Sequence, residues 1–329
     1  MTSQLLEIGR DDVLGFYGLL FVSGNKSDGE NLRTASVETR IDQYLRMAER
    51  LGQGLRRTFR LPLVLVSNDS AYLESRLAAR GRADWKASIA LLQFEFTGDL
   101  PQTARFHSAT NKIFLFRLFS RLPGYSVLVD LDVMCLPGAA AGICRLVESN
   151  RAAVYDISEQ VMPVFGEERI RGDLRKFGVE SSVIRWFGGE FIGGNAGFFG
   201  RLADLAEPAA LVYGEVFESL HHHGDEMITS ACLNRMLDQG EAMDIVDRDR
   251  RLVMRRYWGI PTALPERRLE ANEEIGLLHL PGAKHLLRSR IPDQDIIRIL
   301  RYGQLLPRRL AQLFYRALGW MAYAVVRRN

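Results

Sequence analysis

Two aspartates, one residue apart, end a strand-like apolar run. Residues 125–132 read YSVLVDLD, which places Asp130 and Asp132 at its end. Because residues i and i+2 of a strand point to the same side, the two carboxylates repel each other unless a cation lies between them. Mg2+ and Mn2+ prefer oxygen ligands and often share them with substrate phosphates. The run therefore predicts a divalent metal at the C-terminal tip of a buried strand, where open α/β sheets bind ligands.

The alternative for this pair is structural, because acids at strand ends often cap a neighbouring helix. The apolar residues on both sides of Asp130 and Asp132 favour the metal, since buried charges need a partner.

A second candidate segment is LHLPGAK, residues 278–284. His279 offers a neutral nitrogen, which suits Mn2+ better than Mg2+. Gly282 lets backbone N–H groups approach a phosphate, and Lys284 adds a positive charge. The alternative is a strand-end histidine beside a solvated lysine.

Other polar residues are candidates with a structural alternative for each. Lys112 lies on a predicted helix before the aspartate strand and could reach a phosphate, and the alternative is a simply exposed lysine. Asn195, within the glycine-rich run 193–197, offers a donor and an acceptor for sugar hydroxyls, and the alternative there is a β-bulge. Asp225 and Glu226 open a helix, where acids also simply favour the helix dipole. The three histidines 221–223 before them are predicted to form a solvated helix end.

The elements that must position these residues alternate between short apolar runs and helical patterns. Strands are predicted at 15–22, 61–66, 89–96, 125–131 and 152–155, and helices at 37–57, 68–80 and 108–122. This alternation predicts an α/β domain with a mostly parallel sheet and helices on both faces. Residues 158–187 show little periodicity and are predicted to be a long loop that serves as a lid. Strand character returns at 191–199, and helices are predicted at 202–220 and 225–237.

Composition is that of an ordinary globular chain. The 329 residues are 47% hydrophobic and 25% charged, with a net charge of only +3, which argues against nucleic-acid binding. Three cysteines, an odd number without metal-ligand spacing, indicate a reducing compartment. We find no signal peptide pattern and no apolar run of about 20 residues. A cytoplasmic protein is expected.

The C-terminal region, residues 288–329, is basic, and we predict that it follows a catalytic domain spanning residues 1–287. Residues 305–329 combine leucines and aromatic residues with five arginines, which is typical of an amphipathic helix on an anionic membrane surface. The alternative is a helix docked on the protein body.

In their order and spacing, these motifs resemble GT-A glycosyltransferases, most closely the retaining family 8 enzymes. The resemblance covers roughly residues 14 to 285. It is carried by the first strand and its turn (Val22 to Asn25), Lys112, Asp130-Leu-Asp132, Asn195-Ala-Gly197, Asp225-Glu226 and His279 to Lys284.

The resemblance implies a GT-A, Rossmann-like fold and a metal-dependent sugar transfer with retention of configuration. By resemblance, Asp130, Asp132 and His279 hold Mn2+ or Mg2+, which bridges the diphosphate of a nucleotide-sugar, expected to be a UDP-sugar. Gly282, Lys284 and Lys112 contact phosphates, and Val22 and Asn25 contact the uridine. Asn195 and Asp225 contact the donor sugar or a glycan or lipid-linked acceptor.

Two positions depart from the family 8 pattern. Glu226 stands where that family usually has glutamine, and family 6 retaining enzymes have a glutamate there as candidate nucleophile. His285 and Leu286 replace the usual proline and tryptophan.

Two rival functions remain open from the sequence. A haloacid dehalogenase-type phosphatase also uses an apolar strand ending D-x-D, but normally opens its domain with that strand. A non-catalytic nucleotide-sugar-binding module has no need for Asp130, Asp132 and His279 as metal ligands.

Overall fold

The computed structural model describes residues 6–7, 13–24, 32, 36–80, 85–98, 100–101, 106–246, 253–258, 269 and 275–305. The strands are β1 (Leu6–Glu7), β2 (Val13–Leu19), β3 (Leu63–Ser67), β4 (Ile89–Gln93), β5 (Tyr125–Val129), β6 (Val133–Cys135), β7 (Ala152–Asp156), β8 (Phe187–Asn195), β9 (Met243–Ile245), β10 (Met254–Arg256) and β11 (Leu277–His279). The α-helices are α1 (Val37–Phe59), α2 (Ser70–Ala79), α3 (His107–Thr110), α4 (Leu115–Phe119), α5 (Ala139–Ser149), α6 (Ser158–Phe165), α7 (Glu167–Arg175), α8 (Ala196–Val216), α9 (Asp225–Asp238), α10 (Lys284–Leu287) and α11 (Asp293–Gly303). Short 3-10 helices span Trp85–Ala87, Asn111–Phe114 and Phe217–Ser219.

The main sheet has the strand order β4-β3-β2-β5-β8-β7-β9, with β1 alongside β2. Strands β4, β3, β2 and β5 are parallel, β8 is antiparallel to both β5 and β7, and β9 is parallel to β7. After β2 the chain builds β3 and β4 on one side and β5 on the other. The carboxyl ends of β2 and β5 therefore flank a topological switch point, where open α/β sheets bind ligands. The predicted α/β fold with a mostly parallel sheet is confirmed.

A second, small sheet joins distant parts of the chain. Strand β11 pairs antiparallel with β6, which follows the aspartate strand, and parallel with β10. His279 lies opposite Val133 on one side and Arg256 on the other. This sheet explains how the late histidine segment reaches the end of β5.

Helix α1 ties the two ends of the described chain together. Its N-terminus is capped by Ser36, whose side chain accepts the N–H of Thr39, and it ends at Arg60 with φ 61°. Its apolar face is buried against the core. On another face, Arg50 forms an ion pair of 2.6 Å with Asp293 of α11. The same guanidinium donates hydrogen bonds to the carbonyl oxygens of residues 287, 289 and 291.

Several predicted elements differ from the structure. Residues 158–187 are not a loop, because α6 and α7 occupy most of the segment. The predicted helix 108–122 is broken into α3, a 3-10 turn and α4. Strand β8 begins at Phe187 and ends at Asn195, four residues earlier than predicted at each end. The proposed membrane helix lies almost wholly outside the described residues. Among the described helices, none combines the length and apolar character that crossing a bilayer requires.

Candidate functional site

The structure brings Asp130, Asp132 and His279 together at the switch point. One ligand atom from each lies within 4.8 Å of the others. Nε2 of His279 is 3.1 Å from Oδ1 of Asp132 and 3.9 Å from Oδ2 of Asp130. Backbone pairing holds this arrangement, since the N–H of Leu280 donates to the carbonyl oxygen of Asp132 at 3.0 Å. The predicted convergence of these side chains is therefore confirmed.

These side chains fit a divalent cation. Nε2 of His279 is buried and has no hydrogen-bond partner, although it lies beside a carboxylate oxygen. Two ligands at about 2.1 Å from one ion and at right angles to each other are about 3 Å apart, close to the separation between His279 and Asp132. One imidazole nitrogen with carboxylate oxygens is also a donor set that suits Mn2+.

The electrostatics of the cluster favour positive charge at the imidazole. Burial lowers the pKa of His279, but Asp132 and Glu190 outweigh burial and raise it to about 9. The carboxylates that favour a proton on this imidazole would also favour a divalent cation beside it, which carries twice the charge. Burial disfavours the charge of Asp132, yet Lys284 and His279 hold the pKa of this carboxyl well below its usual range.

A lysine lies on each side of the aspartate pair. Nζ of Lys284 is 2.6 Å from Oδ2 of Asp132, and Nζ of Lys112 is 2.7 Å from Oδ1 of Asp130. Burial lowers the pKa of both lysines, but the neighbouring carboxylates outweigh it and raise the pKa above the usual value. Both ammonium groups are therefore charged, and both line the cavity described below.

Lys112 also joins the aspartate strand to the start of helix α9. Its Nζ is 2.5 Å from Oδ2 of Asp225 and donates to the carbonyl oxygen of Gly189 at 3.2 Å. Burial is the main cause that raises the pKa of Asp225 to about 6; Lys112 opposes it, and Asp130 and Glu226 add to it. A Cβ at Gly189 would stand 2.0 Å from Oδ2 of Asp225, so a side chain at this position would displace the Asp225 carboxylate.

Behind Asp130, Asp132 and His279 lies an ion-pair network that sequence reasoning missed. The guanidinium of Arg256 is 2.8 Å from Oε1 of Glu190 and 2.5 Å from Oε1 of Glu226. Glu190 in turn contacts Nδ1 of His279 at 3.2 Å. Such a contact orients the imidazole so that Nε2 faces the aspartates. The sequence carried a signal for Glu190, because it is the single charged residue within the run FGGEFIGG. Arg256 follows another arginine and carried no such signal.

Glu226 is held in place by two groups. Arg256 pairs with one carboxylate oxygen, and Nε1 of Trp186 donates to the other at 3.1 Å. The helix that carries Glu226 begins after Gly224, whose φ of 103° strongly favours glycine.

One cavity of about 470 Å³ is lined by most of these groups, namely Asp130, Asp132, His279, Lys112, Lys284, Asp225, Glu226 and Arg256. Its walls also include the end of β2, the first turns of α1, the aromatic residues Phe106, Phe165 and Trp186, and the three histidines 221–223. A cavity with convergent charged groups and aromatic walls is the usual form of a small-molecule site.

The remaining predicted residues fall in different places. Val22 exchanges backbone hydrogen bonds with the side chain of Asn68, next to the cavity-lining residues 19–21. Gly282 lies between Pro281 and Lys284, which both line the cavity. Asn25 is outside the described residues.

The structure does not bring Asn195 to the cavity. Asn195 pairs with Tyr125 at the start of β5, five residues and therefore about 17 Å from Asp130. Its side chain caps α8 by accepting the N–H of Phe198 and donates to Asn150. The glycine that contacts the site is Gly189, at the opposite end of β8.

The three histidines 221–223, called the histidine turn below, also differ from their prediction as a solvated helix end. His221 is exposed, but His222 is 8% exposed and contacts the buried carboxylate of Asp173. Asp173 accepts the backbone N–H groups of both residues and lies near Nδ1 of each ring. No sequence pattern indicated this contact, because Asp173 lies in the segment predicted as a loop.

Comparison with known proteins identifies the fold. The sequence matches no protein-family model and no curated protein. Among solved structures, the galactosyltransferase LgtC in complex with donor and acceptor sugar analogues matches at a TM-score of 0.52 and 12% identity, over 85% of this chain and 98% of LgtC. An active-site mutant of LgtC with glutamate in place of glutamine matches at a TM-score of 0.50 and 13% identity, over 91% of this chain and 99% of the mutant chain. The bifunctional glycosyltransferase WbbM matches at a TM-score of 0.51 and 13% identity, over 91% of this chain and 53% of WbbM. The chain has the GT-A fold of these structures.

Proposed function

Starting from the GT-A fold, we propose that this chain is a metal-dependent glycosyltransferase. It moves a sugar from a nucleotide-sugar, most simply a UDP-sugar, to a glycan or lipid-linked acceptor. The observation that carries the proposal is the convergence of Asp130, Asp132 and His279 beside Lys284 in one cavity. This combination of anionic metal ligands and ammonium groups suits a metal-bound diphosphate.

Each charged group has a role in this proposal. Asp130, Asp132 and His279 would hold Mn2+ or Mg2+, which supplies Lewis-acid stabilisation to the departing diphosphate. Lys284 and Lys112 would add positive charge to the phosphates, with the backbone at Gly282 nearby. Val22 and Asn25 are proposed to contact the uridine.

Glu226 is the candidate for stabilising the sugar during transfer. Its carboxylate, fixed by Arg256 and Trp186, would face positive charge that develops at the anomeric carbon, as carboxylates do in glycoside cleavage. Asp225, paired with Lys112, would contact the transferred sugar. Retention of configuration is part of the proposal, and the likeness to family 8 and family 6 motifs supports it.

Donor cleavage by the full-length protein tests the proposal. A panel of nucleotide-sugars with Mn2+ should give release of nucleoside diphosphate from at least one donor. Treatment with EDTA should abolish the release, and added Mn2+ should restore it. Metal-independent release would contradict the metal role. Hydrolysis of phosphomonoesters without donor cleavage would favour the phosphatase, and donor binding without turnover would favour a binding module.

The division into a catalytic domain of residues 1–287 and a basic region of residues 288–329 stays a prediction. We propose that residues 305–329 bring the enzyme to an anionic membrane surface on the cytoplasmic side, where a lipid-linked acceptor would lie. Each arginine near such a surface contributes about 1 kcal/mol to binding.

Replacing Arg308, Arg309, Arg316, Arg327 and Arg328 by glutamine in the full chain should weaken binding to anionic vesicles by at least about 100-fold. Co-sedimentation with phosphatidylserine vesicles measures the change, and phosphatidylcholine vesicles serve as the control. Equal binding of the two proteins to anionic vesicles would contradict the membrane role.

A further inference from the structure

The histidine turn, residues 221–223, lines the same cavity as the metal cluster but takes no part in the chemistry proposed above. It directly precedes Gly224 and the helix that carries Asp225 and Glu226. Two of its imidazoles each have one nitrogen with a hydrogen-bond partner and one buried nitrogen without any.

In His222 the partner fixes the tautomer of the neutral ring. Nδ1 lies 3.1 Å from Oδ2 of Asp173. Burial raises the pKa of Asp173, but hydrogen bonds from His222 and His221 outweigh it and lower the pKa to about 2. The ionised carboxylate only accepts hydrogen bonds, so Nδ1 carries the proton and Nε2 presents a lone pair. That Nε2 is buried and unpartnered.

In His223 the hydrogen-bond partner also sets the tautomer, but here the partner is bound by Nε2. Its Nε2 is 3.1 Å from the carbonyl oxygen of Leu220, which can only accept. In the neutral ring Nδ1 therefore presents the lone pair, and it too is buried without a hydrogen-bond partner. Leaving a buried acceptor unpaired costs about 1–3 kcal/mol, so two in adjacent residues point to a ligand that donates.

Two aromatic rings pack against the imidazole of His222. Phe165 and Trp186 pack against His222 with ring centroids 4.7 and 4.9 Å away. Phe165 is 42% exposed, which is unusual for a large aromatic side chain. Trp186 also donates to Glu226, so the aromatic group continues directly to the carboxylate beside the reacting sugar.

From these contacts we propose that His222 and His223, with Phe165 and Trp186, form the subsite for the acceptor sugar. The two lone pairs accept hydrogen bonds from sugar hydroxyls, and the exposed aromatic ring covers an apolar sugar face. The donor diphosphate does not suit this position, because two lone-pair acceptors repel phosphate oxygens while the lysines lie on the metal ligands. The assignment rests on the proposed glycosyltransferase function.

Variants of His222 separate this role from a structural one. Asparagine can keep the hydrogen bond to Asp173 but has no atom at the position of Nε2, whereas glutamine can place its amide oxygen there. With a donor that the wild-type protein cleaves and a panel of p-nitrophenyl glycosides as acceptors, His222→Asn should lower the ratio of sugar transfer to donor hydrolysis by at least about tenfold. His222→Gln should recover a large part of the loss.

His223→Gln offers an independent variant. Its amide can keep the hydrogen bond to the carbonyl oxygen of Leu220, but it has no acceptor at the position of Nδ1. This variant should reduce the same ratio while His222 is retained. A transfer ratio equal to that of the wild type in His222→Asn, or an equal loss in His222→Gln, would overturn the proposal.

Glycoside binding without any donor distinguishes the two proposals. Saturation-transfer difference NMR should detect p-nitrophenyl glycosides on the wild-type protein and lose the signal in His222→Asn. If that result holds while no nucleotide-sugar is cleaved, the subsite stands and the transferase function fails. If donors are cleaved but glycosides bind wild type and variant equally, the subsite fails and the transferase function stands.

Discussion

Asp132→Asn should lower the metal-dependent release of nucleoside diphosphate by at least about 100-fold. Groups that only support a metal ligand typically change affinity by about 10- to 100-fold when replaced, and Asp132 contacts the predicted metal position directly. Asparagine keeps the size of the side chain but removes the charge that faces Nε2 of His279 and Nζ of Lys284. Mn2+ titration followed by electron paramagnetic resonance should show the matching loss of affinity.

The control for this variant is Asp238→Asn, the same change at an exposed position at the end of α9. It should leave Mn2+ affinity and donor cleavage as in the wild type. Thermal unfolding of both variants separates a lost ligand from a lost fold. Wild-type Mn2+ affinity in folded Asp132→Asn would remove the metal site from the proposal.

Arg256→Leu should cost about 3–5 kcal/mol of unfolding free energy, the usual effect of removing one partner of a buried ion pair. Glu190 is fully buried, and Arg256 is the larger of the two cationic influences on it, with His279 the other. Urea unfolding of the metal-free protein at pH 7 measures the loss.

The loss should depend on pH in a defined direction. Burial raises the pKa of Glu190, but Arg256 and His279 outweigh it and lower the pKa from its ordinary value of 4.5 to about 2. The stability gained from this shift is present above the unfolded pKa and is lost as the pH falls towards 2. The deficit of Arg256→Leu should therefore be largest near neutral pH and shrink below about pH 4.5.

A double-variant cycle shows whether the cost comes from the stranded carboxylate. Glu190→Leu combined with Arg256→Leu should be less destabilising than the sum of the two single variants, because no uncompensated charge remains on Glu190. Additive losses would mean that Arg256 contributes through packing or through Glu226 instead.

The cluster of Asp130, Asp132 and His279 could be predicted from sequence because its parts obey local rules. Asp130 and Asp132 end an apolar run, and His279 ends another. Their meeting depends on β6 pairing with β11, and β6 is three residues long, too short to give a periodic signal of its own. The order of motifs therefore carried the prediction further than periodicity did.

Asn195 shows that the sequence alone does not predict which end of a strand lies at the site. Strand β8 contains two glycine pairs, Gly188-Gly189 and Gly193-Gly194, and the sequence does not say which pair lies at the site. The antiparallel pairing with β5 decides it, since Phe191 lies opposite Val129. That pairing joins segments far apart in the chain and leaves no trace in local composition.

The prediction of a loop at residues 158–187 was wrong for a different reason. Helices α6 and α7 are each shorter than three turns and are interrupted by Gly166, so their apolar residues give too few repeats for a clear period. Their positions are set by contacts such as Asp173 with the histidine turn, which are long-range.

The pairing of β6 with β11 decides when Asp130, Asp132 and His279 can come together during synthesis. His279 is synthesised 89 residues after Glu190, whose carboxylate orients its imidazole. Helix α11 is synthesised later still, and only then can its Asp293 pair with Arg50 of α1. Until His279 is made, the nascent chain holds two aspartates without their imidazole. Translation thus brings the imidazole to the two aspartates only after the strands of the main sheet have been made.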